Sequence, residues 1–356
     1  MKGFKVLAVV FLSLLMIVTA ACNSKGNESV SGNSGSNSGS NEGSETTNFS
    51  DMSLTFGSAT ATGNWRIAMA ATSQILKENL GIEASAQVTP GADTESAVGV
   101  REGIFNGGVT STLTAERFAE GGNEPFIEPF QLNHWFYIGD MYWNSLVSKD
   151  SGITTIDEFA GHKIGVHSPG TINYIFNSEI LFPAHGMSVE DLEAELIGTS
   201  TAIEHLKDKN IEGMSHARGP SGAIVELTMA RDLVLAQPTP EAIEWVKENY
   251  PWAGPVKMPK DVYPDLEIPE PGLVFLIPTM SYLDPNLPDD LVYEMTKQVM
   301  ENFEVIQNAG DAFKDIKPEH ALQGATKKFP PHPGALKYYK EANIPGWEEF
   351  EYLLEN

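Results

Sequence analysis

The spacing of apolar residues divides the chain into three parts. Val6 to Ala21 is an almost unbroken apolar run. Asn23 to Ser50 is nearly all Ser, Asn, Gly, Glu and Thr, with Val30 and Phe49 its only large apolar residues. From Asp51 onward, apolar positions recur with the periods of packed secondary structure. Ser53–Phe56 predicts a short strand and Gly57 to Gly63 a loop. Ile67, Ala68, Ala71, Ile75 and Leu76 fall at helical spacing, stopped by Gly81. Alternation of Ile82, Ala84, Ala86 and Val88 predicts a half-buried strand. A Pro90–Gly91 turn, a helix capped at Asp93 or Thr94, and a third strand in "GGVTSTLT" complete a βαβαβ order.

That order returns further along. "HKIGVHSPGTINYIFNSEIL" reads as a strand, a loop and a helix starting near Thr171. "AELIGTSTAIEHLKDKNIEGMSHARG" reads as strand, helix and strand, ending in a Gly219–Pro220 turn. Two such lobes predict an α/β fold with parallel sheets and helices on their faces. Apolar stretches near Met141–Val147 and Leu273–Ile277 are expected to cross between the lobes. Leu291, Val292, Met295, Val299 and Phe303 form a core stripe on a later helix. Ligands of such sheets collect beyond the carboxyl ends of the strands.

The front end changes the setting. Lys2 and Lys5, a short apolar core and the small residues Thr19, Ala20 and Ala21 are the parts of a secretory signal. The core is about 16 residues, short of the roughly 20 a spanning helix needs. Cys22, the single cysteine, follows at once, and a lone thiol excludes a disulfide. This junction resembles the lipobox of bacterial lipoproteins, which implies an acylated Cys22 as first residue of the mature chain. The other reading is a plain secretory signal with a chance cysteine. Residues 1–21 are thus expected to be a lipoprotein signal peptide and 22–50 a disordered tether, reaching roughly 30 Å. The body would sit outside the cell, anchored to the outer face of the membrane.

Composition then excludes partners. The net charge is −25, and more negative once Lys2 and Lys5 leave with the signal. Such a surface argues against nucleic acid and anionic headgroups. Zinc-protease spacing, a nucleophile elbow and a phosphate loop are all missing from the sequence. The chain is not expected to be an enzyme, and neither a metal nor a cofactor is expected.

Three stretches carry a resemblance: "SGITTIDEFAGHKIGVHSPGT", "LPDDLVYEMTKQVMENFE" and above all "HPGALKYYKE", His332 to Glu341. They resemble the TAXI-type solute-binding proteins of TRAP transporters. The resemblance implies a two-lobe, type II periplasmic-binding-protein-like fold with a ligand cleft between lobes. Lobe I would be 51–146 plus 272–356 and lobe II 147–271. It also implies a monomeric receptor that delivers a small organic anion, such as glutamate or 2-oxoglutarate, to an ion-gradient-driven TRAP permease. The family's Gly-Gly-x-Tyr-Tyr after strand one is replaced by Thr62-Gly63-Asn64-Trp65. Its Thr-Gly-Gly-Ser after strand two is replaced by Thr89-Pro90-Gly91-Ala92. Both changes fall in pocket loops, so the usual ligand is open. Alternatives are a receptor for an ATP-driven importer of sulfonates or thiamine precursors, and a secreted hydrolase with a scattered triad.

Pocket candidates follow from the loops. Lobe I offers Ser58, Thr60 and Asn64 as donors, Trp65 as pocket wall or core anchor, and the turn Thr89, Gly91 and Ala92. Asp93 reads as a helix cap rather than a ligand contact. Lobe II offers the cradle His167, Ser168, Gly170 and Thr171, with Tyr174 one turn in. Arg218 stands at a strand end, either for a ligand carboxylate or for a surface salt bridge.

Overall fold

Short strand–helix units build the first half of the body. In the computed structural model, which describes residues 49–59, 63–123, 125–218 and 222–355, β1 (Ser53–Gly57) leads into α1 (Asn64–Leu80). The predicted stop holds: Gly81 has φ 71° and returns its amide to Lys77 O. β2 (Glu83–Gln87), α2 (Ala92–Arg101) and β3 (Gly107–Ser111) follow. β1 pairs in parallel with β2 and with β3. The strand expected over 107–114 ends at Ser111. The Ser111 hydroxyl accepts from the Thr114 amide at 3.2 Å and starts α3 (Thr112–Glu120), so cap chemistry overrides the β-branched pattern.

The second half repeats the plan. β5 (Lys163–Gly165) leads to α4 (Ile172–Phe176), which runs through a π turn at Asn177–Leu181 into α5 (Phe182–Ala184). β6 (Glu193–Glu195), α6 (Thr199–Lys207) and β7 (Gly213–Arg218) come next, and β5 pairs in parallel with β6 and β7. α7 (Gly222–Ala230), β8 (Leu233–Ala236), α8 (Pro240–Asn249) and β9 (Pro255–Lys257) complete it.

Two long strands join the halves: β4 (Asn133–Ser148) and β10 (Leu273–Leu283). Both run further than the stretches expected to cross. The sheet order is β2-β1-β3-β10-β4-β7-β5-β6, with β8 on β4 and β9 on β10. The expectation of purely parallel sheets is corrected here, because β10 and β4 run antiparallel to their neighbours. Gly139 on β4 has φ 133°, a backbone state that side chains other than glycine's resist, and marks the bend between the halves.

A C-terminal layer of α9 (Asp289–Glu301), α10 (Glu304–Ala309) and α11 (Pro333–Glu341) packs on α1 and on Trp135 and Phe136 of β4. The expected stripe, Leu291, Val292, Met295, Val299 and Phe303, is buried there. Phe49, placed at the tether's end, is buried in the same cluster and belongs to the body. The signal peptide, Cys22 and the tether through residue 48 lie outside the described residues. No helix among the described residues is long and apolar enough to cross a membrane.

The "HPGALKYYKE" element has a structural explanation. His332 caps α11 by accepting from Gly334 N at 3.2 Å, and Pro333 fills the first helical position. Burial lowers the His332 pKa, so Nδ1 is an acceptor and its 3.7 Å approach to Asp289 is not an ion pair. A Cβ on Gly334 would lie 2.2 Å from Asp289 O, so the helix can approach α9 only with glycine there. Tyr339 donates its hydroxyl to Trp135 O and ties α11 to β4.

Candidate functional site

Strand register locates the site. Ser111, the last residue of β3, is level with Thr279 of β10, which is level with Gly139 of β4. Arg218, the last residue of β7, is level with Tyr142 of β4. The parallel strands of the two halves run in opposite senses, so their carboxyl ends point toward each other. They converge on β4 three residues apart, roughly 10 Å at 3.3 Å per residue. A crevice bounded by two sets of strand ends is where α/β sheets bind ligands.

On the first-half side, much of the polar surface is turned inward. Ser58 is buried, and its hydroxyl donates to Gln87 O at 2.7 Å. Thr89 is buried too, accepting from Ala59 N at 2.8 Å and giving its own amide to Ala59 O at 2.9 Å. Gly91 precedes α2, and its amide donates to the Glu95 carboxylate at 2.5 Å. Ala92 opens the helix. Asn64 is exposed at the start of α1, and Trp65 is half-buried against the core cluster, which favours the anchor reading. Thr60 lies outside the described residues.

Asp93 does more than cap. It is buried and accepts the Thr114 hydroxyl at 2.5 Å and the Thr94 amide at 3.1 Å, binding the start of α2 to that of α3. Burial raises its pKa, opposed by those hydrogen bonds. Sequence reasoning missed this joint because it took 107–114 for a strand.

The second-half cradle is more open. His167 takes a left-handed φ of 68°, uncommon away from glycine, and its Nε2 lies 3.0 Å from Thr199 Oγ1. Its ring lies 6.4 Å from that of His216 on β7. Ser168 donates to Leu196 O at 3.2 Å, linking the β5 and β6 loops. Thr171 caps α4 by accepting from Tyr174 N at 3.2 Å. Gly170 has φ 82° and is exposed. The amides of Ser168 and Gly170 find no acceptor among the described residues. Tyr174 is half-buried. The Arg218 backbone is placed by its pairing with Tyr142, and its side chain lies outside what is described.

One flank is closed by side chains from both halves. Arg117 of α3 pairs with Glu179 in the π turn, and also with Glu120 at 2.6 Å. Glu116 of α3 accepts from Trp252 Nε1 at 3.1 Å and from the Thr326 hydroxyl at 2.8 Å. Leu113 of α3 packs in the cluster that holds Trp143, Phe176 and Phe275. Arg66, Glu116 and Arg117 were not among the expected site residues. Each sits in a helix beyond the loops, and only register brings it to the crevice.

A sequence profile of the NMT1-like family matches residues 56–342, most of the chain and every element named above. The chain belongs to the NMT1-like family. Its fold is shared with solved periplasmic binding proteins. It is similar to a putative sulfonate ABC transporter protein, the periplasmic sulfonate-binding protein SsuA from Methylobacillus flagellatus KT. Identity is 11%, covering 83% of this chain and 96% of that one, with a TM-score of 0.51. It also matches the aliphatic sulphonate binding protein SsuA from Escherichia coli at 11% identity, over 83% of this chain and 94% of that one, TM-score 0.45. MatC from Rhodopseudomonas palustris with bound malate matches at 14% identity, over 84% and 98% of the two chains, TM-score 0.43. The first of these shows the architecture of this NMT1-like chain to be the two-lobe α/β fold of periplasmic binding proteins.

Proposed function

We propose that this NMT1-like chain is an extracytoplasmic solute receptor that closes on a small organic anion and delivers it to a membrane permease. The observation that carries the reading is the convergence of both sets of strand ends on residues 139–142 of β4. The lobes are taken as 51–146 with 272–356, and 147–271. The ligand residues are taken from the facing loops: Ser58, Thr60, Asn64, Trp65, Thr89, Gly91 and Ala92 against His167, Ser168, Gly170, Thr171, Tyr174 and Arg218. Binding rather than catalysis agrees with a fold shared with sulfonate-binding SsuA. Mass spectrometry of the purified protein identifies the solute it carries. At saturation that solute should shrink the radius of gyration and raise Tm, since it binds the native state alone. A bound solute that changes neither rules out a closing crevice.

The resemblance of "HPGALKYYKE" to TAXI-type receptors supports an ion-gradient-driven TRAP permease as partner, and acylated Cys22 as the membrane anchor. The likeness to SsuA supports the second reading, an ATP-driven importer. Isolation of the receptor with its membrane subunits decides between them, because an ATPase in the complex displaces the TRAP reading. Cys22→Ala should release the protein from membranes into the medium.

A further inference from the structure

Arg66 occupies a place that a structural role alone does not explain. It stands in the first turn of α1, and its Nη1 donates to Ala86 O at 2.6 Å and to Ser58 Oγ at 3.3 Å. Those partners lie at the carboxyl ends of β2 and β1, so the guanidinium is held across the first-half strand ends. Both partners are neutral. The remaining guanidinium N–H groups have no acceptor among the described residues, and no carboxylate there pairs with Arg66. The first turn of α1 holds no acid. Yet acids outnumber bases in this chain by 48 to 23. Elsewhere, Arg117 is gripped by Glu120 and Glu179. A half-buried cation without a counter-ion is costly, and a neutral donor would bridge two neutral oxygens without that cost.

We propose that Arg66 supplies the fixed positive charge by which the first half grips the acid group of the solute; this deepens, and rests on, the solute-receptor reading above. Two neutral oxygens hold one edge of the planar fork and leave the other edge for a bidentate contact with a carboxylate or sulfonate. The Ser168 and Gly170 amides of the opposite half then complete the shell. Because the two contacts come from different halves, the acid group itself draws the lobes together.

The test uses the full chain and three probes: L-glutamate, 2-oxoglutarate and methanesulfonate. Binding is read by calorimetry for the parent, Arg66→Gln and Arg66→Lys, with Tm recorded for each ligand-free protein. The expected result is binding of at least one probe by the parent. Arg66→Gln should then weaken it by roughly 30-fold or more, with Arg66→Lys between, as for loss of one partner of a buried charge pair. Ligand-free Tm should not fall in Arg66→Gln. Parent affinity retained in Arg66→Gln overturns the inference and leaves the receptor reading standing. A fall in ligand-free Tm with affinity unchanged makes Arg66 a strut and also overturns it. A parent that binds none of the three probes removes both this inference and the anionic-solute reading.

Discussion

The two halves of the crevice are built from the same strand–loop–helix unit and finished in opposite ways. In the first half, Ser58, Thr89 and Gly91 spend their hydrogen bonds on Gln87, Ala59 and Glu95, and buried Asp93 locks α2 to α3. In the second half, His167 and Gly170 hold left-handed backbone conformations, and two loop amides are left facing outward. The first half is a satisfied platform carrying one charged arm; the second is a shaped, unsatisfied loop. Repetition of a fold unit therefore does not imply repetition of its chemistry. Glu95 fills the anion position in one half that a ligand is left to fill in the other.

The largest expected effect separates the halves directly. If the second half also supplies charge, Arg218→Ala should weaken solute binding by about 2–4 kcal/mol, with little change in ligand-free Tm. Calorimetry on the solute that copurifies checks this. Equal affinity in the variant would leave the second half to act through its amides alone.

Next come two titrating groups with opposite signs, one within the platform and one at the junction. Burial lowers the His134 pKa from 6.5 to about 4, so the folded state holds it neutral. Its contribution is present above pH 6.5 and lost as pH falls toward 4, a loss of about 3 kcal/mol. Urea unfolding across that range should show the loss, and His134→Asn should flatten it. Asp140, at the bend of β4, is pushed up from 3.8 to about 6 by burial, against hydrogen bonding from Tyr137 and the charge of His320. A raised acid stabilises the fold while protonated, so this contribution is present below pH 3.8 and lost as pH rises through 6. Asp140→Asn should therefore raise stability at pH 7 by roughly 1–3 kcal/mol. A variant no more stable than the parent would mean the Asp140 carboxylate is well solvated.

The smallest effect is at the flank that touches both halves. Glu179 is partly exposed, so losing its pair with Arg117 should cost less than about 1 kcal/mol of stability. Glu179→Gln should nonetheless enlarge the ligand-free radius of gyration, because the pair joins α3 to the π turn beyond α4. An unchanged radius would assign closure to the strands alone.

Much of the fold was legible because its signals are local. Gly81 ended α1 as spacing required, Thr171 capped α4, and the α9 stripe is buried. The failures came where local signals compete or partners are distant. Thr110 to Thr114 reads as β-branched strand, and only the Ser111 hydroxyl on the Thr114 amide turns it into a helix start. Sheet sense depends on β10 pairing with β4 more than a hundred residues earlier, which no periodicity records. Among the site residues, the loops were found because glycine and small polar residues mark them. Arg66 and Arg117 were missed because a cation inside a helical stripe looks like solvated surface until register shows what lies across from it.

The pairing of Tyr339 with Trp135 fixes an order of assembly. Those residues are separated by 204 positions, and His134 is likewise held by Gln323 and Pro330. As the chain emerges from its amino end, β5 to β9 have each other to pack on well before α11 exists. The first half keeps Trp135 and Phe136 uncovered until nearly the last residues arrive. The lobe that begins first is therefore completed last, and it carries the longest exposure to misassembly.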